Sequence, residues 1–343
     1  MGNTVPARTL KNVSWYFDDR AISKGEPGIS HSYMSSLATA LNYIEGQLDP
    51  VWLIGSSAFA FRIFINEVMC PSALSIFDWS SILPEAVEQA GYHCNYVSRL
   101  WHEGDKEKEK REQAHVVIVE GIDRGFPAVV WDVADCNWGL MIGYEQNKQL
   151  YETLTYQGKP SSLPFEKLGQ NGNNILSVAV PGEPNTRSRE EIVLNSLKTA
   201  VAHAEQKEWM DRPKYQDGLP AYDLWALLFE RWALLVGAGK GGRINSKMPE
   251  YSLCYADHYY SARCYARDYL RFIADGNVML QKASLSYERA ASSLKPVWDC
   301  FFNGKELTGE VLLSLAASIK SAKAAEEEGI NYIKEYITQT DRF

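Results

Sequence analysis

The chain has 343 residues, 45% hydrophobic and 23% charged, which suits a folded globular protein and excludes extended disorder over most of its length. A formal net charge of -8 with no basic stripe excludes a general polyanion binder, because nucleic-acid affinity rests on Lys and Arg neutralising phosphates. The length favours two domains.

In chain order, Met34, Leu37, Ala38, Leu41 and Ile44 fall on one helical face, with Gly46 placed to end the helix, so a core-packed helix is expected from about Ser32. Further helical stretches are expected over 57–67, 81–90 and 106–122. The last of these opens on the alternating charges KEKEKRE of a solvated face. Strands rich in β-branched and aromatic residues follow over 128–133, 138–144 and 149–155, the last two forming a hairpin, and 175–180 closes the set. Helices followed by an antiparallel sheet make an α+β pattern, distinct from the alternation of a dinucleotide-binding fold.

After Val180 no strand pattern is visible. The turn-rich segment GEPNTRS (182–188) reads as a linker, and Ser188 with Glu191 forms a capping box that opens the next helix. Helices are then expected over 221–236, 250–274, 278–302 and 309–338, with Pro296 kinking or interrupting the third of them. The expected organisation is an α+β domain over 1–181 and an all-helical domain over 186–343.

No run approaches the length of a membrane helix, and the first residues lack the order of a signal peptide, so a cytoplasmic protein with no membrane partner is expected. The six cysteines stand without CxxC pairs, which suits reduced thiols better than a disulfide framework or a zinc site. Cys254, His258 and Cys264 are too spread to hold a metal without a fourth ligand, and Lys240 in GAGKGGR lacks the Ser or Thr and the preceding strand of a phosphate loop. No cofactor and no metal are expected.

A nucleophile at a helix N-terminus gains from unpaired N–H groups and the positive end of the helix dipole. Ser32 has that position, either as a nucleophile or as a simple N-cap. A base would be expected at the head of a neighbouring strand, where this chain carries Asn137. His31 is the nearest alternative base, although consecutive helix residues point in different directions. Cys136 is either a displaced nucleophile or a small buried hydrophobe, and Asp132 and Asp135 either serve it or shape the turn before Trp138. In the tyrosine-crowded segment 255–270, the tyrosines either pack against the first domain or, with Tyr259, Arg263 and Arg267, line an interdomain ligand cleft.

Two segments together resemble the butirosin biosynthesis protein H N-terminal-like family, a branch of the papain-like fold related to bacterial double-glycine peptidases. The family's His-Cys pair, leucine-rich helix and glycine correspond to His31, Ser32, Leu37, Leu41 and Gly46. Its Gly-x-Pro, apolar strand, His-Trp, apolar strand and Gly-Tyr-Asp correspond to Gly125, Pro127, residues 128–131, Asn137 with Trp138, residues 140–142, and Gly143, Tyr144 and Glu145. The resemblance covers about half of the chain and implies a papain-like first domain that carries out acyl transfer or peptide hydrolysis. This chain departs from it at both catalytic positions, and the orienting acid would fall near Thr153 or Leu154, so that member is missing too.

The reading that follows is a papain-fold protein with a degenerate thiol site, which binds a small amine, acyl or peptide-like ligand with Trp138, Asp132, Tyr259 and Arg263 as candidate contacts. One alternative is an active acyltransferase or cysteine-peptidase-like hydrolase using Ser32 or Cys136, with an acyl carrier among its partners. Another is an interaction scaffold whose aromatic helices recruit a protein.

Overall fold

The computed structural model describes residues 7–134, 136–170, 172–208 and 214–340. Its elements in chain order begin with β1 (Ala7–Thr9), α1 (Asp19–Ser23), α2 (Ser32–Glu45), α3 (Pro50–Ser56), β2 (Phe64–Asn66), α4 (Trp79–Gln89), β3 (Tyr92–Arg99) and α5 (Glu107–Arg124). The strands β4 (Ala128–Trp131), β5 (Trp138–Glu145), β6 (Leu150–Leu154), β7 (Pro160–Pro164) and β8 (Leu176–Pro184) follow. Then come α6 (Arg189–Ala204), β9 (Tyr215–Asp217), α7 (Gly218–Gly237), α8 (Met248–Ile273), α9 (Val278–Phe302) and α10 (Gly309–Thr340).

The chain divides into two compact units. The first takes the described residues up to 18, then 31–53 and 78–187; the second takes 19–30, 54–77 and those from 188 onward. The change at residue 188 lies near the expected boundary, but two early segments belong with the helical unit, so neither unit is one contiguous stretch. The expected linker is itself held in place. β8 continues to Pro184, and the Asn185 amide donates to the backbone carbonyls of Glu88 (2.7 Å) and Tyr92 (3.2 Å). The Ser188 hydroxyl then accepts from the Glu191 N–H at 3.1 Å, capping α6 as the capping box predicts.

The first unit is α+β. Its sheet runs β3-β8-β4-β5-β6-β7 with every pair antiparallel, and β1 adds to the second half of β5 through Gly143–Glu145, beyond the stretch that pairs with β4. Strand side chains alternate between faces. Ala128, Val130, Met141, Val178 and Val180 pack with Ala114, Ile118, Val119 and Ile122 of α5 on one side. Helix α2 packs on β4 and β5. It is the helix expected from Ser32, and it ends at Gly46, whose φ of 76° is the left-handed turn its N–H needs to reach the Asn42 carbonyl at 2.8 Å.

In the second unit the long helices α7 to α10 surround an apolar core built on Trp225, Phe229, Tyr255, Tyr259, Leu294 and Ile319, and α6 packs on α10. Three expectations are corrected there. The stretch 57–67 is a short 3₁₀ turn followed by β2, because its aromatic and β-branched residues suit a buried strand better than a helix. β2 pairs antiparallel with β9, so the region after Val180 is not free of strand. Helix α9 is not interrupted at Pro296, one of the two outcomes expected there; Leu294 and Val297 beside it are fully buried, and their packing holds the helix despite the lost hydrogen bond.

Gly121 lets α5 lie close on β8: a Cβ there would sit 2.5 Å from the Val180 Cγ1. On an exposed helix face Gly→Ala would stabilise by about 1 kcal/mol. Here Gly121→Ala is expected instead to destabilise the protein by about 1–3 kcal/mol through overpacking, read as a lower urea midpoint at unchanged slope.

The Asp257 carboxyl on α8 is pushed up to about 6 by burial, only partly offset by the Trp298 indole N–H that it accepts at 3.0 Å. The folded protein therefore binds this proton up to about pH 6, whereas the unfolded chain releases it near 3.9. The cost of ionising it in place is full above pH 6 and absent below about pH 4. Asp257→Asn keeps the acceptor for Trp298 and is expected to raise stability by about 2–3 kcal/mol at pH 8, with the advantage fading toward pH 4. Thermal melts of both proteins across that range would check it.

Candidate functional site

In the first unit the site is assembled around the start of α2 and the β4–β5 hairpin. Helix α2 begins at Ser32, with His31 in the N-cap position, so the expectation that Ser32 is itself the cap is corrected. The His31 side chain makes no capping hydrogen bond, and the first turn of the helix has no acidic residue. The ring of His31 instead lies 5.8 Å from that of Trp138, tilted by 32°. His31 is thus buried against the sheet, while Ser32 beside it stays half-exposed.

Trp138 opens β5 directly after Asn137 and is opposite Trp131 of β4. Cross-strand partners share a face, and the two indoles lie 4.4 Å apart. Trp79, at the start of α4, sits 4.7 Å from Trp138 and 5.1 Å from Trp131. Tyr33 of α2 meets Trp138 edge-on at 5.7 Å, and its hydroxyl donates to the Leu83 carbonyl of α4 at 2.7 Å. The start of α2 is in this way brought against the strand that follows Asn137.

Among the described residues of the loop after β4, Asp132 (φ 56°) and Cys136 (φ 54°) are left-handed. The Asp132 N–H donates to the Asn137 carbonyl at 2.8 Å, and its buried carboxylate accepts from the Cys136 N–H at 2.9 Å. Asp132 therefore shapes the turn, one of the two roles expected of it. Cys136 is exposed, which corrects its reading as a small buried hydrophobe. Asp135 lies outside the described residues. Thr153, where an orienting acid was looked for, is a buried strand residue opposite Met141.

Burial raises the Tyr33 phenol well above its ordinary range, and burial with nearby Glu88 pushes the Cys94 thiol on β3 up to about 12. Both stay protonated at neutral pH and supply neither base nor thiolate. The indole N–H groups of Trp131 and Trp138 are buried and meet no acceptor among the described residues, at a cost of about 1–3 kcal/mol each.

Tyr259 and Arg263, the other expected ligand contacts, belong to the second unit, where both are fully buried and take part in its core. The Tyr259 hydroxyl accepts from the Phe64 N–H at 2.8 Å and donates to the Phe64 carbonyl at 2.6 Å. Arg263 donates to both Glu326 oxygens (2.8 and 2.9 Å), to the Tyr222 hydroxyl and to the Arg62 carbonyl. Burial disfavours its charge, but Glu326 overrides that and holds the guanidinium protonated. Arg267, half-buried, pairs with Glu26 at 2.9 Å.

Trp79, Trp131 and Tyr33 were missing from the residues expected at the site. Trp131 was findable, since closing a hairpin puts it opposite Trp138, whereas Trp79 comes from a distant helix start and left no local signal. Among the described residues no cluster of three metal-ligating side chains forms and no helix is long and apolar enough to cross a membrane. Comparison with protein-family models and with curated protein sequences gives no match.

Trp138→Ala is expected to cost about 3–5 kcal/mol in urea denaturation, since it opens the centre of the aromatic cluster. Trp138→Phe retains most of the ring and removes the unsatisfied N–H, so its cost should stay below about 2 kcal/mol.

Proposed function

We propose that the first unit is a papain-like domain of the butirosin biosynthesis protein H N-terminal-like type, whose thiol site has become a non-catalytic binding site. The observation that carries the reading is the start of α2. The helix begins at Ser32 without a side-chain cap and sits, through His31 and Tyr33, on the residue that follows Asn137. A thiol at Ser32 and an imidazole at Asn137 would complete the pair that the resemblance calls for.

The chemistry of the two substituted groups argues against turnover. An unassisted serine hydroxyl is a weak nucleophile, and the Asn137 amide cannot take a proton at neutral pH. What remains is a helix terminus, with the positive end of its dipole, beside aromatic surface, which suits an acyl, amine or peptide-like group bound without reaction. A cytosolic small-molecule or peptide-like ligand is the partner this favours.

The unmutated protein is expected to show no thiol-dependent acyl transfer or peptidase activity. Ser32→Cys combined with Asn137→His should create a thiol that titrates below the ~8.5 of a free cysteine, read as the pH dependence of its alkylation rate, with Ser32→Cys alone as the control. Turnover by the unmutated protein that survives Ser32→Ala and disappears in Cys136→Ala would sink the reading.

A further inference from the structure

In the second unit, residues 24–30 form a strap laid antiparallel along α8. Lys24 pairs with Asp268 at 3.2 Å, Glu26 with Arg267 at 2.9 Å, and the Ser261 hydroxyl donates to the Gly28 carbonyl. His258, Ser261 and Asp268 lie three and seven residues apart, on one stripe of the helix. The last side chain of the strap is Ser30, whose hydroxyl oxygen lies 3.5 Å from the His258 Nδ1.

We propose that Ser30 and His258 form a nucleophile–base pair that takes an acyl group from an activated ester. Three observations converge on this. Ser30 is half-exposed, so an electrophile can reach it, while His258 is 8% exposed and thus shielded from bulk water. The imidazole packs on Tyr259, 4.9 Å between centroids, and the Tyr259 ring is itself fixed by its two bonds to Phe64. The strap's ion pairs hold Ser30 in register with His258, and Gly28 (φ 72°) allows the turn that brings it there.

In the reaction His258, protonated on Nε2, accepts the Ser30 hydroxyl proton at Nδ1 as Oγ bonds to the acyl carbon. Collapse of the tetrahedral adduct breaks the ester C–O bond, and the leaving alcohol takes the proton back from Nδ1. Water then cleaves the acyl-serine by the same route, releasing the acid and regenerating both groups. A separation of 3.5 Å before substrate binds is compatible with this chemistry, since such contacts tighten in the substrate complex. The inference shares no residue with the α2 site and does not depend on that reading.

The test is a fluorophosphonate probe on the full-length protein, with the modified residue located by peptide mass spectrometry and p-nitrophenyl acetate hydrolysis measured in parallel. The expected result is a single adduct on Ser30, abolished by Ser30→Ala. His258→Gln should slow both labelling and hydrolysis by about 100-fold or more, the usual contribution of a positioned base. Thermal melts of each variant identify any that fail to fold. In that event His258→Asn, or competition by the ester against labelling of the unmutated protein, supplies the second readout. No adduct on Ser30 in the folded unmutated protein, or labelling undiminished in folded His258→Gln, overturns the proposal. An adduct on Ser32 instead would overturn it and the non-catalytic reading of α2 together.

Discussion

The Trp138 ring draws four elements of the first unit to one place. It is the first residue of β5, it meets Trp131 of β4 edge-on, it contacts Trp79 of α4, and it receives His31 and Tyr33 from the start of α2. A helix seated by its first turn has its N-terminal N–H groups in a defined position, which is the property a binding or catalytic terminus requires. The rest of the site follows from that seat. Because Trp138 lies on the sheet face that α2 covers, Asn137 stands at the end of the hairpin loop beside it, and the Asp132 backbone and carboxylate close that loop.

The second unit depends on a different kind of constraint. Arg263 (0% exposed) and Glu326 (2% exposed) form an ion pair inside the helical core, with Tyr222 bonded to both. Taking two charges out of water is costly, and the geometry has to return that cost through hydrogen bonds at fixed angles. The two-oxygen contact and the bond to the Arg62 carbonyl therefore set α8 against α10 and against the segment entering β2. A second buried set does the same for the β2–β9 ribbon. The His203 ring accepts the Ile63 N–H at 2.9 Å and contacts Glu208 at 3.0 Å. Burial alone would raise the Glu208 carboxyl, but Arg62 and His203 outweigh it and hold it down at about 2.

Much of this architecture was legible. α2, α4, α5 and the long helices α7 to α10 follow from apolar periodicity, and β4, β5, β6 and β8 from their β-branched and aromatic content. Of the sheet strands that were not foreseen, β3 and β7 end the main strand order, and β1 is a three-residue addition to β5. An edge strand buries little, so Tyr92–Arg99 mixes polar and apolar residues, and the prolines bounding Pro160–Pro164 read as a loop. β2 and β9 are three residues each and form only because two distant segments meet.

By itself the sequence determined the long helices, where the helical half begins at Ser188, and which groups stand at the two positions that decide the thiol chemistry, Ser32 and Asn137. Those are local properties: periodicity, caps and side-chain identity act over a few residues. Only the tertiary structure decided that 19–30 and 54–77 belong to the helical unit, that Tyr259 and Arg263 are core and not cleft, and that Ser30 meets His258. Each of these rests on pairings between residues far apart in the chain, from 63 positions for Arg263 and Glu326 to 228 for Ser30 and His258. Such pairings are set by which apolar faces and buried charges must be satisfied together, and no short window of sequence records that.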